Sequence, residues 1–306
     1  MAQAESVLPV TRVKARKQTG FIAKYWMAYL LVLPAVIVRF SYTVAPLVRT
    51  FWLSMTNMSI SNPGVFVGLK NYIALFQDEL FINAIGWTFL YTVTATLIET
   101  ALGLAFAVLL NQKLRGQTTA IFLVMLPWVI APMLASTLWK LMLYDSTGVF
   151  NQLLTMAGFD RIPWLSDPIW ARVSVTLVSV WKNVAWVSLI FLAGLRSLPR
   201  EVLEAAEVDG ASPFQRFWKV SFPLLQSTTL LILLLRGMGE IQTFEQIYGL
   251  TMGGPGTATR TIAMYAYERF FTEFRYGYGS TVNVILFVVT AIVGFYYSWR
   301  LFQAER

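Results

Sequence analysis

The chain has 306 residues, of which 57% are hydrophobic and only 13% charged. A soluble domain carries about 25% charged residues, so this composition excludes a water-soluble globule. The net charge of +8 is spread over short segments between apolar runs rather than gathered in one stripe, which speaks against a nucleic-acid partner, and the absence of Cys and His removes disulfides, thiolate and imidazole metal sites and the commonest general base.

Residues 1–24 form a polar, basic tail with Arg12, Lys14, Arg16, Lys17 and Lys24. The apolar run that follows lacks a small-x-small cleavage site and reads as a retained first span, not a signal peptide. Crossing a bilayer takes about 20 apolar residues, and six runs qualify: 26–48, 84–111, 118–142, 169–195, 219–240 and 281–301. The fold class expected is all-α, an integral membrane protein with six transmembrane helices. Pro34, Arg39 and Pro46 predict a kink near the outer end of the first span. Pro127 and Pro132 predict a bent or broken third span, although proline is also ordinary packing material in membrane helices.

Lys and Arg orient the chain. With the N-terminus inside, the inner segments hold Arg12, Lys14, Arg16, Lys17, Lys24, Lys113, Arg115, Arg196, Arg200, Arg216, Lys219, Arg300 and Arg306, and the outer ones Lys70, Arg161, Arg260, Arg269 and Arg275. Both termini are therefore expected in the cytoplasm. The outer connections 49–83, 143–168 and 241–280, rich in Gly, Pro and aromatics, are expected to be packed. With no linker or low-complexity tract, residues 25–306 read as one transmembrane domain.

The inner segment 197–225 carries the most information. A short helix is expected over 199–208, stopped at Gly210, where glycine accepts left-handed angles. A second helix then starts with Ser212 as N-cap, Pro213 as first residue and Gln215 completing a capping box. Ala205 and Ala206 permit close approach of another surface, and Glu204, Glu207 and Asp209 offer acceptors at its rim. An interfacial helix lying on lipid is the alternative. Four acids (Glu201, Glu204, Glu207, Asp209) fit a protein partner better than an anionic leaflet.

Glu204-Ala205-Ala206, Asp209-Gly210-Ala211 and Phe222-Pro223-Leu224 resemble the cytoplasmic loop of binding-protein-dependent ABC importer permeases. Leu250-Thr251-Met252-Gly253-Gly254-Pro255, followed by Thr257, Thr259 and Thr261, and Phe66-Val67-Gly68-Leu69-Lys70-Asn71-Tyr72 extend the resemblance, over about 25–302, to the maltose-type sugar permeases, as the first of the two permease subunits. The resemblance implies the type I ABC importer permease fold in a bacterial inner membrane. It implies a second permease subunit, two ATPase subunits that bind ATP and Mg, and an external solute-binding protein. It makes the loop 197–218 an ATPase-coupling element through Glu204, Ala205, Ala206, Asp209, Gly210 and Phe214. The chain has no G-x-x-x-x-G-K-[ST] string, so no cofactor is expected on it.

A neutral mono- or oligosaccharide is the expected cargo, with a phosphate- or sulfonate-bearing sugar or polyol as runner-up because Lys182 and Arg236 would suit an anion; a sugar path needs aromatic faces and polar groups inside spans. The third span offers Trp128 beside Pro127 and Pro132. The fourth offers Ser179, Lys182, Asn183 and Trp186, whose spacing puts them on one helical face. The fifth ends with Arg236, Glu240, Gln242, Thr243 and Phe244. The resemblance points to the same positions as substrate contacts. Plain readings stand beside these: tryptophan in a span as packing or interfacial anchor, an Arg236–Glu240 bridge at i, i+4, and Lys140 and Arg172 snorkelling near span ends. A secondary transporter or channel would explain the spans but not the coupling loop. A membrane enzyme lacks His and Cys, and an acid-pair protease needs acids deep in two spans, where only Glu240 is expected.

Overall fold

The computed structural model describes residues 21–112 and 115–304. The tail cations Arg12, Lys14, Arg16 and Lys17 lie outside the described residues, as do Lys113 and Arg306. The chain divides into two compact units, one ending at Arg49 and one covering Thr50–Arg306. In the first, α1 (Phe21–Arg39) runs through Pro34 without a break and then widens into a π-helical turn, Phe40–Val44, before α2 (Ala45–Ser54). That turn is centred on Tyr42, four residues before Pro46. A proline ring clashes with the carbonyl four residues back and donates no hydrogen bond, and one wide turn accommodates both.

In the second unit, antiparallel bridges Thr56–Phe66 and Ser59–Asn62 fold the segment after α2 into a small hairpin. The helices α3 (Lys70–Phe76) and α4 (Glu79–Leu110) follow. Asp78 caps α4 by accepting from Leu80 N–H at 2.9 Å, and it is tied to the far end of the chain by Tyr265, by Tyr278 at 3.2 Å and by Arg269 at 3.7 Å. Burial raises its pKa, but these hydrogen bonds and the guanidinium outweigh burial and hold it below the ordinary aspartate value.

The third span is broken. α5 (Gln117–Val129) and α6 (Pro132–Met142) meet at 93°. The connection to α7 (Val149–Met156) and on to α8 is packed, as expected. It is organised by buried Asn151, whose amide donates to Asp145 O (3.0 Å) and Ile162 O (2.8 Å) and accepts from Ile162 N–H (3.0 Å) and the Trp164 ring N–H (3.2 Å). α8 (Pro168–Ser197) is capped by Asp167 and lies along α4. Gly103 permits the contact: a Cβ there would overlap the Val187 side chain, which is how small residues let membrane helices approach.

The inner segment forms α9 (Arg200–Val208) and α10 (Pro213–Arg216), followed by a second π-helical turn, Phe217–Ser221, and α11 (Phe222–Leu224). This turn, too, is centred four residues before a proline, Pro223. α11 bends by 63° into α12 (Gln226–Ile241), so the fifth span is also angled. The chain closes with α13 (Glu245–Leu250), α14 (Ile262–Tyr267), a third π-helical turn, Glu268–Thr272, and α15 (Tyr276–Ala304). Among the described residues, four stretches are long and apolar enough to cross a membrane unbroken, Tyr25–Ser54, Glu79–Leu110, Pro168–Ser197 and Tyr276–Gln303, and six if each bent pair counts as one span. The helices α4 and α15 begin five residues earlier than the apolar runs 84–111 and 281–301, because hydrogen-bonded helix continues into polar sequence.

Candidate functional site

The break in the third span leaves backbone in need of partners. Ile130 and Ala131 are extended (ψ 133° and 137°) and Pro132 has no N–H to give. Inside a membrane such carbonyls must be satisfied by protein. Lys182 on α8 does this, its Nζ donating to Trp128 O at 2.9 Å and Ile130 O at 2.7 Å. A cation at the C-terminal end of α5 also suits the helix dipole.

Behind this lysine lies a buried ionic cluster drawn from three helices. Arg236 on α12 holds Glu99 of α4 through Nε (2.7 Å) and Nη2 (3.3 Å) and also bridges Glu240 one turn along α12. The Ser179 hydroxyl lies 3.2 Å from each carboxylate. The Asn183 amide lies 3.3 Å from each, and Thr243 donates to Glu240 at 3.3 Å. Glu99 and Glu240 are 0% and 1% exposed, and only a guanidinium with several neutral donors makes two such carboxylates tolerable together.

Above the cluster opens a cavity of about 340 Å³ lined by Pro132, Lys182, Asn183, Arg236, Glu240, Gln242, Thr243, Phe244 and Glu245, among others. Eight of the eleven path candidates named from the sequence thus converge. Ser179 sits beneath them, fully buried. Trp128 contributes its carbonyl, while its ring is 43% exposed. Trp186 is packed, half-buried, against the core of Ala107, Val187, Phe191 and Leu225 rather than at the cavity.

Two expectations need correcting. Glu240 is not the only acid inside a span: Glu99 is a second, in the middle of α4, and the two share Arg236. Its signal was visible, since a lone glutamate in a long apolar helix has to find a partner. Arg172 does not snorkel. It donates to Ala258 O at 2.8 Å and lies over the Trp87 ring at 5.0 Å, pinning the loop between α13 and α14. In that loop Thr251 and Thr259 share a 2.7 Å hydrogen bond, Thr259 donates to Gly254 O at 2.7 Å, and Thr261 caps α14 and reaches Thr243 O at 3.3 Å. The threonine pattern therefore braces the cavity wall. The expected Arg236–Glu240 bridge is present.

At the other end of α8, the capping box forms as expected: Ser212 N–H donates to Gln215 Oε1 at 3.0 Å, and Gln215 N–H to Ser212 Oγ at 3.3 Å. Gly210 takes the left-handed angle, φ +79°. Glu204, Ala205, Asp209 and Phe214 are exposed and Ala206 half-buried, while Glu207 is drawn back onto Arg216 at 2.6 Å. Val208 and Phe214 stand out at 87% and 73% exposure.

Comparison with known proteins follows the same lines. A family model described as "binding-protein-dependent transport system inner membrane component" matches residues 99–303. The trehalose/maltose transport system permease protein MalF of Thermococcus litoralis is 34% identical over 264 residues, 86% of this chain and 89% of that protein. The sulfoquinovosyl glycerol transport system permease protein SmoG of Agrobacterium fabrum is 33% identical over 269 residues, 87% of each. Among solved structures, a bacterial ABC transporter involved in the import of the acidic polysaccharide alginate superposes with a TM-score of 0.82 at 25% identity, covering 93% of this chain and 98% of that one. Six helical spans with two of them bent, an exposed capped loop at the end of α8 and this coverage by the family model together make the chain a member of the binding-protein-dependent transport system inner membrane component family, a multi-pass permease of ABC importers.

Proposed function

We propose that the chain passes a neutral sugar from an external solute-binding protein through the cavity beside Lys182 and Asn183 into the cytoplasm, paired with a second permease subunit. The energy comes from ATP, with Mg, hydrolysed by two partner ATPase subunits. In this reading residues 25–306 are one transmembrane domain in the bacterial inner membrane, the basic tail 1–24 and both termini are cytoplasmic, and the loop 197–218 docks the ATPase through Glu204, Ala205, Ala206, Asp209, Gly210 and Phe214. The exposed acids and Phe214 support that assignment, since an aromatic left in water beside a helix–turn–helix suits a protein cleft.

One observation carries the choice of cargo. The Arg236 charge is offset by Glu99 and Glu240, and Lys182 gives two of its three N–H groups to the carbonyls of Trp128 and Ile130, which leaves the cavity little cationic capacity for an anionic substrate. Asn183, Gln242, Thr243 and the ring of Phe244 remain at the cavity, which is the mix of hydrogen-bonding groups and apolar faces that suits hydroxyl-rich rings. The similarity to MalF, a trehalose/maltose transport system permease protein, supports this chemistry. The test is uptake of labelled trehalose by the reconstituted complete transporter, with excess maltose or sn-glycerol 3-phosphate as competitor. Neutral sugars should compete and the phosphate should not; competition by the phosphate alone would reverse the assignment.

A further inference from the structure

Phe244 lines the cavity, and its ring begins a row that leads away from it. Its centroid is 4.6 Å from that of Tyr267, which is 5.2 Å from Phe271. Phe271 is 4.8 Å from Phe270, Phe270 is 5.1 Å from Tyr276, and Tyr276 is 6.5 Å from Phe274. Phe244, Tyr267, Phe270 and Tyr276 are half-buried, while Phe271 and Phe274 are 60% and 41% exposed. A core cluster would bury such rings; these remain accessible along the whole row.

The backbone makes special provision for it. Among the described residues, two of the three π-helical turns answer a proline, but the third, Glu268–Thr272, does not, and it carries Phe270 and Phe271. Wide turns without such a cause gather at functional positions. Phe274 is a non-glycine residue at φ +55°, a strained conformation that persists where the surroundings impose it. Gly279 makes room for Phe270, since a Cβ there would lie 2.8 Å from the Phe270 Cβ.

We propose that Tyr267, Phe270, Phe271, Phe274 and Tyr276 form an entry track that hands a pyranose ring stepwise to Phe244 at the cavity. The inference rests on the sugar reading above. The C–H groups on one face of a pyranose lie against the negative face of an aromatic ring. Rings in successive contact let the sugar gain the next surface before leaving the last. No single ring binds tightly, which suits a passage rather than a storage site.

The test uses the complete transporter in proteoliposomes with saturating binding protein and a panel of labelled neutral mono- and disaccharides headed by trehalose and maltose. Tyr267→Leu and Phe271→Leu keep apolar bulk but lose the ring; Tyr267→Phe and Phe271→Trp keep a ring. The leucine variants should lower maximal uptake per assembled complex by about three- to tenfold, with the half-saturating sugar concentration unchanged because the binding protein sets it. The aromatic variants should stay within about twofold of wild type. Wild-type uptake in the leucine variants, or equal loss in leucine and aromatic variants, overturns the track and leaves the rings as packing or an interfacial belt. A wild-type complex that takes up no sugar of the panel overturns the sugar reading and the track with it.

Discussion

Replacing Arg236 with methionine removes the only cation among the described residues that bonds Glu99 and Glu240, which are 0% and 1% exposed. Breaking a buried ion pair from one side costs about 3–5 kcal/mol. Here two carboxylates lose one partner, which pushes toward the top of that range. Ser179, Asn183 and Thr243 keep their hydrogen bonds to the same oxygens, which pulls back. An expected loss of about 4 kcal/mol lowers the melting temperature by roughly 8–16 °C on the scaling of a domain of 150–250 residues. Thermal unfolding of the purified complex in detergent, with folded protein quantified by size exclusion, measures it. Glu99→Gln and Glu240→Gln added to Arg236→Met neutralise the stranded charges and keep the polar contacts, so the triple variant should recover most of the loss. If Arg236→Met melts with the wild type, or the triple variant melts with the single one, the cluster does not join α4, α8 and α12 in the way the distances imply.

Lys182→Met strands the carbonyls of Trp128 and Ile130, at about 1–3 kcal/mol each; a fall in melting temperature together with lost uptake is expected, and unchanged values for both would contradict the capping role. Glu204→Lys reverses an exposed charge on α9 and should abolish uptake and substrate-stimulated ATP hydrolysis while membrane abundance stays normal; retention of both activities would remove α9 from the ATPase contact. Asp78 has a pKa held below 3.8, so its stabilising charge is fully present above about pH 4 and is lost as the pH falls through the depressed value. Asp78→Asn should therefore lower stability at neutral pH and flatten the acid limb of a stability–pH curve below about pH 4; an acid limb as steep as that of the wild type would refute the sign.

What could be read in advance follows the range of the interactions. Ser212, Pro213 and Gln215 act within one turn, and their capping box formed as the spacing predicts. Pro132 breaks the third span because the missing N–H and the ring clash are local facts, whereas α5 runs through Pro127. Glu99 escaped because its partners are 80, 84 and 137 residues away, at Ser179, Asn183 and Arg236. Nothing near it in the chain shows which of several polar residues in other spans it will meet. Trp186 was placed with Asn183 by helical spacing, which describes one helix in isolation; the neighbouring core around Phe191 and Leu225 decides where that ring goes. Arg172 likewise found a carbonyl 86 residues away instead of water.

The close seat of α4 on α8 at Gly103 has a mechanical consequence. Helices that interlock so tightly slide poorly past one another, and α8 is unbroken over Pro168–Ser197. From Asn183 to Ser197 the rod is about 21 Å long at 1.5 Å per residue, and only Leu198 and Pro199 separate its end from α9. Within the rod, a displacement of the Ser197 end carries to Asn183; Leu198 and Pro199 leave the helix as an extended link to α9, and the neighbouring spans bend at 129–132 and at Leu225. Stiffening those two bends, rather than altering the rod, is where the stroke length of this permease would be set.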